Sequence, residues 1–304
     1  EFLAGDNEVW GVARFSDPAS RAKVEAVGAR THAVDLGTGD FTGLPQDFTY
    51  VIHFAVLQEG GLDYDRAISV NAEGTGLLLQ HCRTAKAALV MSTQSVYRPV
   101  EDPWHAFVET DPLGDCNSMH APTYSVSKIA QEAVARYCAR AFELPVTIAR
   151  MNASYGDNGG LPTYHMDWIM AGAPVVTRWD PCPYSLIHQD DINTQTEALL
   201  EAASVPTTIV NWGGDEAIPV DEWCRYIGEL AGVEPVVEAR EVPGTLRGSV
   251  ADPAKRQSIT GPCNVTWRDG IRRAFELRYP GGQPAEAAMN GPAARLLAAY
   301  DPDH

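Results

Sequence analysis

Tyr124 and Lys128 stand four residues apart in the segment YSVSK. On a helix this spacing places both side chains on one face, one turn apart. A phenol with an ordinary pKa of about 10 exchanges protons poorly at neutral pH, and a neighbouring ammonium group lowers that pKa by stabilising the phenolate. The pair therefore predicts acid–base chemistry at the Tyr124 hydroxyl, assisted by the charge of Lys128.

Three hydroxyl side chains precede this pair in the segment MSTQSVY, namely Ser92, Thr93 and Ser95. They stand at the end of an apolar run of strand length. A hydroxyl at that place can hydrogen-bond a substrate oxygen whose proton is exchanged with Tyr124. The alternative interpretation is that these hydroxyls cap the end of the strand.

The elements that must position these residues are strands and helices that alternate through the first half of the chain. Predicted strands, rich in Val and Ile, cover residues 8–13, 31–34, 50–55, 88–92 and 145–149. Predicted helices cover residues 19–28, 71–84 and 125–142. Apolar strands spaced by helices are typical of a parallel sheet buried on both faces. The predicted fold class is therefore α/β, with a Rossmann-type doubly wound parallel sheet.

The second half has shorter elements and frequent Pro and Gly, which predicts a smaller lobe. We divide the chain into a dinucleotide-binding domain over residues 1–156 and a substrate-binding lobe over residues 157–280. Residues 186–205 are expected to pack back on the first domain. Residues 281–304, rich in Ala, Pro and Gly, are predicted to form a C-terminal tail.

The start of the sequence bears on the cofactor site. A dinucleotide fold holds the pyrophosphate with a strand, a glycine-rich turn and the start of a helix. The sequence has no glycine-rich turn directly after a predicted strand, and residues 1–5 are typical of the last turn of a helix. We therefore expect about 20 further residues, carrying the first strand and its turn, to precede Glu1.

Composition excludes several classes of function. A net charge of −17 disfavours binding to nucleic acid or to an anionic membrane surface, which requires clustered Lys and Arg. The six cysteines are far apart, without a Cys-x-x-Cys pair, so neither a disulfide framework nor a metal site is predicted. No stretch reaches about 18 apolar residues and no signal peptide is visible, so we expect a cytoplasmic protein.

A series of motifs from residue 8 to about residue 280 resembles the extended short-chain dehydrogenase/reductases of the NAD-dependent epimerase/dehydratase type. The motifs follow the family's order: DL at 35–36, VIHFA at 51–55, VNAEGT at 70–75, STQSVY at 92–97, YSVSK at 124–128, RMNASYG at 150–156, LIHQDD at 186–191 and NWGGDE at 211–216. Their number and order make this resemblance specific.

The resemblance implies roles for individual residues. Tyr124 would be the catalytic acid–base, Lys128 would lower its pKa and hold the cofactor's ribose, and Thr93 would bind the reacting oxygen. The implied cofactor-binding residues, besides Tyr124 and Lys128, are Asp35, Leu36, Phe54, Ala55, Val56, Asn71, Met91, Ser92, Met151, Asn152 and Ala153. For Asn71, a structural role beside the active-site helix is an equally good interpretation. The resemblance implies a homodimer that pairs through the helices at 71–84 and 125–142, and the alternative is that the small residues on these helices pack in the core.

The sequence departs from the family where its sugar-nucleotide members bind their substrate. Two diphosphate-binding arginines and a nucleotide-binding asparagine are replaced here by Tyr184, Val242 and Ala153. Each lost charge-assisted contact costs about 1.5–3 kcal/mol, which disfavours a nucleotide sugar unless Arg178 or Arg247 compensates.

The residues expected to contact substrate share the predicted crevice and are Thr93, Gln94, Asn152, Arg178, Tyr184 and His188. A structural role is the better interpretation of His188, and Asp190 and Asp191 are expected to cap the helix that follows it. Gln94 and Ser95 stand where sugar dehydratases carry an Asp-Glu pair, which disfavours dehydration.

The form of the cofactor is predicted from the end of the second strand of a dinucleotide fold. An acidic residue there suits the ribose of NAD, whereas an Arg suits the 2′-phosphate of NADP. Here the strand at 8–13 is followed by Arg14, and no acid occurs before Asp17. NADP is therefore preferred over NAD, the alternative being that Arg14 covers the adenine from the surface.

These observations lead to one main hypothesis and two alternatives. The main hypothesis is an NAD(P)-dependent oxidoreductase that interconverts a carbonyl and a secondary alcohol of a small-molecule substrate by hydride transfer. The first alternative is an NAD-dependent sugar-nucleotide epimerase. The lesser alternative is a non-catalytic protein that senses the cofactor.

Overall fold

The computed structural model describes residues 1–114, 116–117 and 121–282. Its first half alternates strands and helices as predicted. These elements are β1 (Trp10–Ala13), α1 (Pro18–Ala26), β2 (Arg30–Ala33), β3 (Tyr50–His53), α2 (Tyr64–Ile68), α3 (Gly74–His81), β4 (Ala87–Thr93), β5 (Ala106–Phe107), α4 (Tyr124–Ala141) and β6 (Val146–Met151).

The second half contains shorter elements. They are β7 (Ser154–Gly156), β8 (Gly159–Gly160), α5 (Leu161–Met170), β9 (Val175–Thr177), β10 (Pro183–Tyr184), β11 (Ile187–His188), α6 (Gln189–Glu201), β12 (Thr208–Trp212), β13 (Ile218–Pro219), α7 (Val220–Ala231), β14 (Val237–Ala239), β15 (Val250–Ala251), α8 (Ala254–Thr260) and α9 (Trp267–Arg278). Of the predicted tail at 281–304, residues 283–304 lie outside the described residues.

The helix predicted from residue 71 begins earlier than expected, at Tyr64. The Asp63 carboxylate accepts a hydrogen bond from the Arg66 N–H at 2.9 Å and so caps α2. The chain then passes through a π-helical turn, Ser69–Glu73, directly into α3. Such wide turns inside helices are frequent at functional sites, and this one contains Asn71.

The principal sheet is parallel and has the strand order β12-β6-β4-β3. In its register Thr93, at the end of β4, lies opposite Met151, at the end of β6. The carboxyl ends of these neighbouring strands therefore share one edge of the sheet, where open α/β sheets bind their ligands.

A second parallel pair, β1 with β2, lies beyond β3 and is not hydrogen-bonded to the principal sheet. A cleft of about 690 Å³ separates the two, and residues of β1 and β3 line it.

Helices cover both faces of the principal sheet. On one face, Leu79 of α3 and Ala135 and Ala139 of α4 pack against Val90 and Ile148 of the strands. The opposite face is covered by α6, whose Leu199 and Leu200 pack against the sheet. A parallel sheet with helices on both faces confirms the predicted fold class.

The second lobe has a separate core between α5, α7 and α9. Trp168, Trp223 and Trp267 are buried there together with Ile227 and Ile271. In the part of the chain that the structure describes, no helix is long and apolar enough to cross a membrane.

Candidate active site

Tyr124 and Lys128 occupy the first turn of α4, beside the carboxyl end of β4. The Lys128 side chain is 1% exposed, and its ammonium donates a hydrogen bond to the Met91 carbonyl at 2.6 Å. Burial lowers the pKa of Lys128 to about 7, and the nearby Glu132 carboxylate acts in the opposite direction. The predicted pair is therefore held on one helix face, with its amine inside the protein.

The Tyr124 hydroxyl lies beside the Thr93 side chain, close enough for Thr93 to act on the pKa of the phenol. Burial raises the pKa of the Tyr124 phenol, and the neighbouring Thr93 side chain lowers it in part. The Thr93 hydroxyl also accepts a hydrogen bond from the Ser95 N–H at 3.2 Å, which fixes it at the end of β4. The three residues predicted to be catalytic, Thr93, Tyr124 and Lys128, therefore lie in one site.

A buried ion pair lies under this site and was missed by sequence reasoning. Glu132, one turn after Lys128, accepts hydrogen bonds from the Arg150 guanidinium at 2.9 and 2.8 Å. The Ser92 hydroxyl donates to the same carboxylate at 2.6 Å, so this predicted cofactor ligand is engaged with α4. The signal was present in the sequence, because Glu132 continues the helix face of Tyr124 and Lys128 with the same spacing of four.

Asn71 joins the active-site helix to the loop that follows β3. Its side-chain amide donates to the Leu57 carbonyl and to the Ser127 hydroxyl, both at 2.9 Å. Its amide oxygen accepts from the Leu57 N–H at 2.7 Å. Both amide hydrogens of Asn71 are therefore used inside the protein, which favours the structural interpretation of this residue.

Six of the predicted cofactor-binding residues line the cleft between β1 and β3: Arg14, Asp35, Leu36, Phe54, Ala55 and Val56. Arg14 is exposed directly after β1. The Asp35 carboxylate accepts a hydrogen bond from the Gly37 N–H at 2.9 Å. Arg14 follows β1 and residues 54–56 follow β3, so they lie at the carboxyl ends of strands, where open α/β sheets bind their ligands.

A cluster of amide and hydroxyl groups lies at the ends of β4 and β6. The Asn152 amide donates to the Gln94 side-chain oxygen and to the Ser249 carbonyl, both at 2.6 Å. The Ser249 hydroxyl donates to the same Gln94 oxygen at 2.9 Å. The side-chain nitrogen of Gln94, Nε2, is buried without a hydrogen-bond partner. A buried donor of this kind is costly and is explained when a ligand oxygen accepts from it.

Arg178 and Tyr184, two further predicted substrate residues, contact each other. The Arg178 guanidinium donates a hydrogen bond to the Tyr184 hydroxyl at 2.7 Å. Burial raises the pKa of Tyr184, which therefore stays neutral.

His188 lies between α6 and α9 in the second lobe. Its ring packs edge-on against Tyr155 and lies next to Gly270. Its Nδ1 accepts a hydrogen bond from the Asp190 N–H at 3.2 Å, so His188 caps α6. The expectation that Asp190 and Asp191 cap this helix was wrong, because the Asp191 carboxylate instead accepts from the backbone of Asn264 and Val265.

Comparison with known proteins places these residues in a family. The family model described as the NAD dependent epimerase/dehydratase family matches residues 1–173, more than half of the chain. No functionally curated protein matches the chain by sequence.

The solved structures of similar fold include epimerases of UDP-sugars. One is a UDP-glucuronic acid 4-epimerase from Bacillus cereus with NAD, with 20% identity and a TM-score of 0.77 over 91% of this chain and 92% of that chain. Another is a UDP-glucose 4-epimerase from Thermotoga maritima, with 19% identity and a TM-score of 0.75 over 90% and 91% of the two chains. A third is a UDP-glucose 4-epimerase from Thermus thermophilus in complex with NAD. It is 21% identical to this chain, with a TM-score of 0.67 over 90% of this chain and 100% of that chain.

The family match confirms the predictions of an enzyme of this type and of a nicotinamide dinucleotide as its cofactor. The description of the family names NAD as the cofactor, whereas the sequence favoured NADP. The match extends from the first residue through β1, α4 and the end of α5. This chain belongs to the NAD dependent epimerase/dehydratase family.

Proposed function

We propose that this protein is an NAD(P)-dependent oxidoreductase that interconverts a carbonyl and a secondary alcohol, with Tyr124 as the acid–base. The observation that carries the proposal is the position of Tyr124 beside Thr93, at the end of β4, and one helical turn from the buried Lys128 amine. Two hydroxyls that meet at the carboxyl edge of the sheet define a place for one substrate oxygen.

The chain's own groups then have distinct tasks. When bound, the nicotinamide accepts the hydride from a carbinol carbon or supplies it to a carbonyl carbon. Tyr124 takes the hydroxyl proton in oxidation and returns a proton to the oxygen in reduction. Thr93 donates a hydrogen bond to that oxygen and holds it near Tyr124. A protonated Lys128 stabilises the phenolate that Tyr124 must form, and so opposes the effect of burial on its pKa.

Replacement of Tyr124 by Phe tests this proposal. Removing a positioned acid–base should reduce turnover by about 10²–10⁴-fold, while the affinity for the cofactor should change by less than about threefold. Tyr64→Phe is the control, because Tyr64 lies at the start of α2, outside the site, and is 38% exposed. Turnover is followed by nicotinamide absorbance with a panel of sugars, sterols and polyketide-like ketones. Equal turnover by Tyr124→Phe and the control would refute the mechanism.

We propose NADP as the preferred form of the cofactor, on the position of Arg14. Arg14 lies on the rim of the cleft, and among the described residues no carboxylate is paired with it. Asp17, the next acid, accepts a hydrogen bond from the Ala19 N–H at 2.9 Å and caps α1. The NAD present in the similar solved structures supports the opposite choice.

Dissociation constants of NADPH and NADH decide between the two forms. We expect NADPH to bind the wild-type protein more tightly, and Arg14→Ala to weaken NADPH by about tenfold with little effect on NADH. Equal or tighter binding of NADH to the wild-type protein would reject the NADP preference.

The second candidate is epimerisation of a sugar nucleotide with NAD that is not consumed. It is favoured by the likeness to UDP-sugar 4-epimerases. It is disfavoured by Tyr184, Val242 and Ala153 at the places of the nucleotide-binding residues. An epimerase turns over without net change of added cofactor, so the stoichiometry of cofactor consumption separates the two reactions.

We further propose how the protein is organised. Residues 1–156 hold the cofactor, residues 157–280 select the substrate, and two copies pair through α3 and α4 in the cytoplasm. Leu77 and Tyr137 support the pairing, because these large side chains are 41% and 69% exposed on those helices. Light scattering that gives the mass of one chain at micromolar concentration would refute the dimer.

A further inference from the structure

The short turn after β4 determines where the hydroxyl of Thr93 points. Thr93 is the last residue of the strand, and residues 94–96 form a single 3₁₀ turn. The turn is closed by a hydrogen bond from the Tyr97 N–H to the Gln94 carbonyl at 3.1 Å. The Thr93 hydroxyl accepts from the Ser95 N–H inside this turn, at 3.2 Å. Contacts that hold the turn therefore also hold the Thr93 hydroxyl.

On one side, the turn is attached to the helix that carries Tyr124. Ser125, the next residue of α4, donates a hydrogen bond from its hydroxyl to the Ser95 carbonyl at 2.7 Å. Ser125 is buried, so water does not compete for this bond. The turn and the start of α4 are thus joined within the first domain.

On the other side, the turn is attached to the second lobe through the side chain of Gln94. Its Oε1 accepts from the Ser249 hydroxyl at 2.9 Å and from the Asn152 amide at 2.6 Å. The backbone of Ser249 is itself held in the lobe. Its N–H donates to the Pro183 carbonyl at 2.7 Å, and its carbonyl accepts from the Ser185 N–H at 3.2 Å. Gln94 therefore links the catalytic edge to a fixed point of the lobe.

Asn152 determines which end of the Gln94 amide faces the lobe. The side-chain oxygen of Asn152 accepts from the Ala153 N–H at 2.7 Å, so its nitrogen is the atom that faces Gln94. That nitrogen donates to the Ser249 carbonyl and to Gln94, which uses both of its hydrogens. Only the oxygen of Gln94 can accept there, and its nitrogen is left without a partner among the described residues. The acceptor end of Gln94 is thus the end that joins the two parts of the molecule.

We infer that Gln94 is a positioning residue, through which Ser249 of the second lobe fixes the hydroxyl of Thr93 beside Tyr124. The inference rests on the proposed function and adds a task to the lobe, which then completes the catalytic edge besides selecting the substrate. A side chain that is held from two sides by buried hydrogen bonds keeps one orientation before substrate arrives.

Replacement of Gln94 by Met tests the inference, because Met keeps the length of the side chain and removes the acceptor. A reacting group displaced by about 1 Å can cost about 100-fold in rate, so we expect kcat to fall by about 10- to 100-fold. The dissociation constant of the cofactor should change by less than about threefold. In a Thr93→Val background, Gln94→Met should lower kcat by less than about twofold further, because the group that it positions is gone. Additive losses in the double variant would overturn the inference.

Two serines of the same lobe segment provide the second comparison. Ser249→Ala removes the donor to Gln94 and should lower kcat several-fold. Ser185→Ala is the matched control, because Ser185 is equally buried and its hydroxyl accepts from the Ala251 N–H at 3.0 Å, away from Gln94. Both variants lose one buried hydrogen bond, which urea unfolding measures, but Ser185→Ala should leave kcat within about twofold of wild type. Equal losses of kcat in the two variants would reject a role specific to Ser249.

The ionisation of Tyr124 separates this inference from the proposed function, since it needs no turnover. Thr93 lowers the pKa of Tyr124, so Thr93→Val and Gln94→Met should both raise it in the full-length protein with oxidised cofactor. Phenolate absorbance is titrated against Tyr124→Phe, and Ser249→Ala replaces Gln94→Met if the latter does not fold. If no substrate is turned over but these variants raise the Tyr124 pKa together, the positioning role stands and the proposed reaction fails. A rise in Thr93→Val alone would overturn the inference.

Discussion

Two arginines, Arg150 and Arg178, are surrounded very differently in the two halves of the molecule. Arg150, beneath the active-site helix, donates to both oxygens of Glu132, to the Tyr97 hydroxyl and to the Glu109 carbonyl. Arg178, in the second lobe, donates to the neutral hydroxyl of Tyr184. The first charge is compensated inside the protein, and the second has no carboxylate partner in the described chain.

The difference separates two tasks. A closed network under α4 fixes Tyr124, Lys128 and Thr93 whether or not substrate is present, because all its charges are satisfied by the protein itself. Around Arg178 the hydrogen bond to the Tyr184 hydroxyl takes the place of an ion pair among the described residues, so no closed network of charges holds this side chain. The following predictions test this contrast.

The largest effect is expected from opening the closed network. Glu132→Leu leaves Arg150 buried without its carboxylate and should lower the free energy of unfolding by about 3–5 kcal/mol, measured with urea. The double variant Glu132→Leu/Arg150→Met removes both charges and should recover a large part of that loss. A double variant as unstable as the single one would show that the network does not depend on charge compensation.

A gain in stability is expected at Lys128. Its pKa is lowered by burial to about 7, below the ordinary value of 10.5, so the charge destabilises the folded protein fully below pH 7. That penalty is relieved as the pH rises from about 7 towards 10.5, where the unfolded chain also loses its proton. Lys128→Met should therefore stabilise the cofactor-free protein by about 2–4 kcal/mol at pH 7, while activity is lost.

The pH dependence of this gain is the check on its cause. Unfolding free energies of wild type and Lys128→Met, measured between pH 6.5 and 9.5, should converge as the pH rises, a range set by the lowered pKa of Lys128. A constant difference across this range would mean that packing, and not the buried charge, separates the two proteins.

A smaller effect is expected at Asn71. Asn71→Ala leaves the Leu57 N–H and the Ser127 hydroxyl without this partner and should cost about 1–3 kcal/mol of unfolding free energy. Because residues 54–57 line the cleft, cofactor affinity should fall as well, which calorimetry with NAD(P)H would detect. Unchanged affinity despite lost stability would confine Asn71 to a purely structural role.

The smallest effect is expected at an exposed pair that serves as a reference. Arg225 and Asp221 are spaced by one turn on α7, with a distance of 2.9 Å between them. Arg225→Ala should change the unfolding free energy by less than about 0.5 kcal/mol, because water and salt screen such pairs. A loss comparable to that of Glu132→Leu would mean that burial does not account for the strength of the network.

Local patterns were sufficient to predict the chemistry and the parallel sheet. Tyr124 and Lys128 were predicted from their spacing, because helix periodicity is a property of neighbouring residues. The strand end offered Ser92, Thr93 and Ser95, and the resemblance to the family singled out Thr93. The start of α2 was missed, since Tyr64 to Val70 shows no clear helical period and the cap at Asp63 is a single residue. The capping role of His188 was missed for a similar reason, because imidazole is an uncommon N-cap.

Contacts between distant segments could not be predicted. The bonds that join Gln94 to Ser249, and Asp191 to Asn264, link residues far apart in sequence, and no local pattern marks them. The hydrogen bond between Arg178 and Tyr184 is of the same kind, since it depends on how the segment around these two residues folds. The sequence could name Arg178 and Tyr184 as candidates, but their contact with each other required the structure.

The ionisation of Tyr124 tests the central claim most directly. Phenolate absorbance is titrated in the wild-type protein and in Tyr124→Phe, each with and without oxidised cofactor, and the difference isolates this one phenol. We predict that the pKa of Tyr124 falls when the oxidised cofactor binds, and that the fall is lost in Lys128→Met. A Tyr124 pKa that is the same with and without cofactor would contradict the account of Tyr124 as the acid–base.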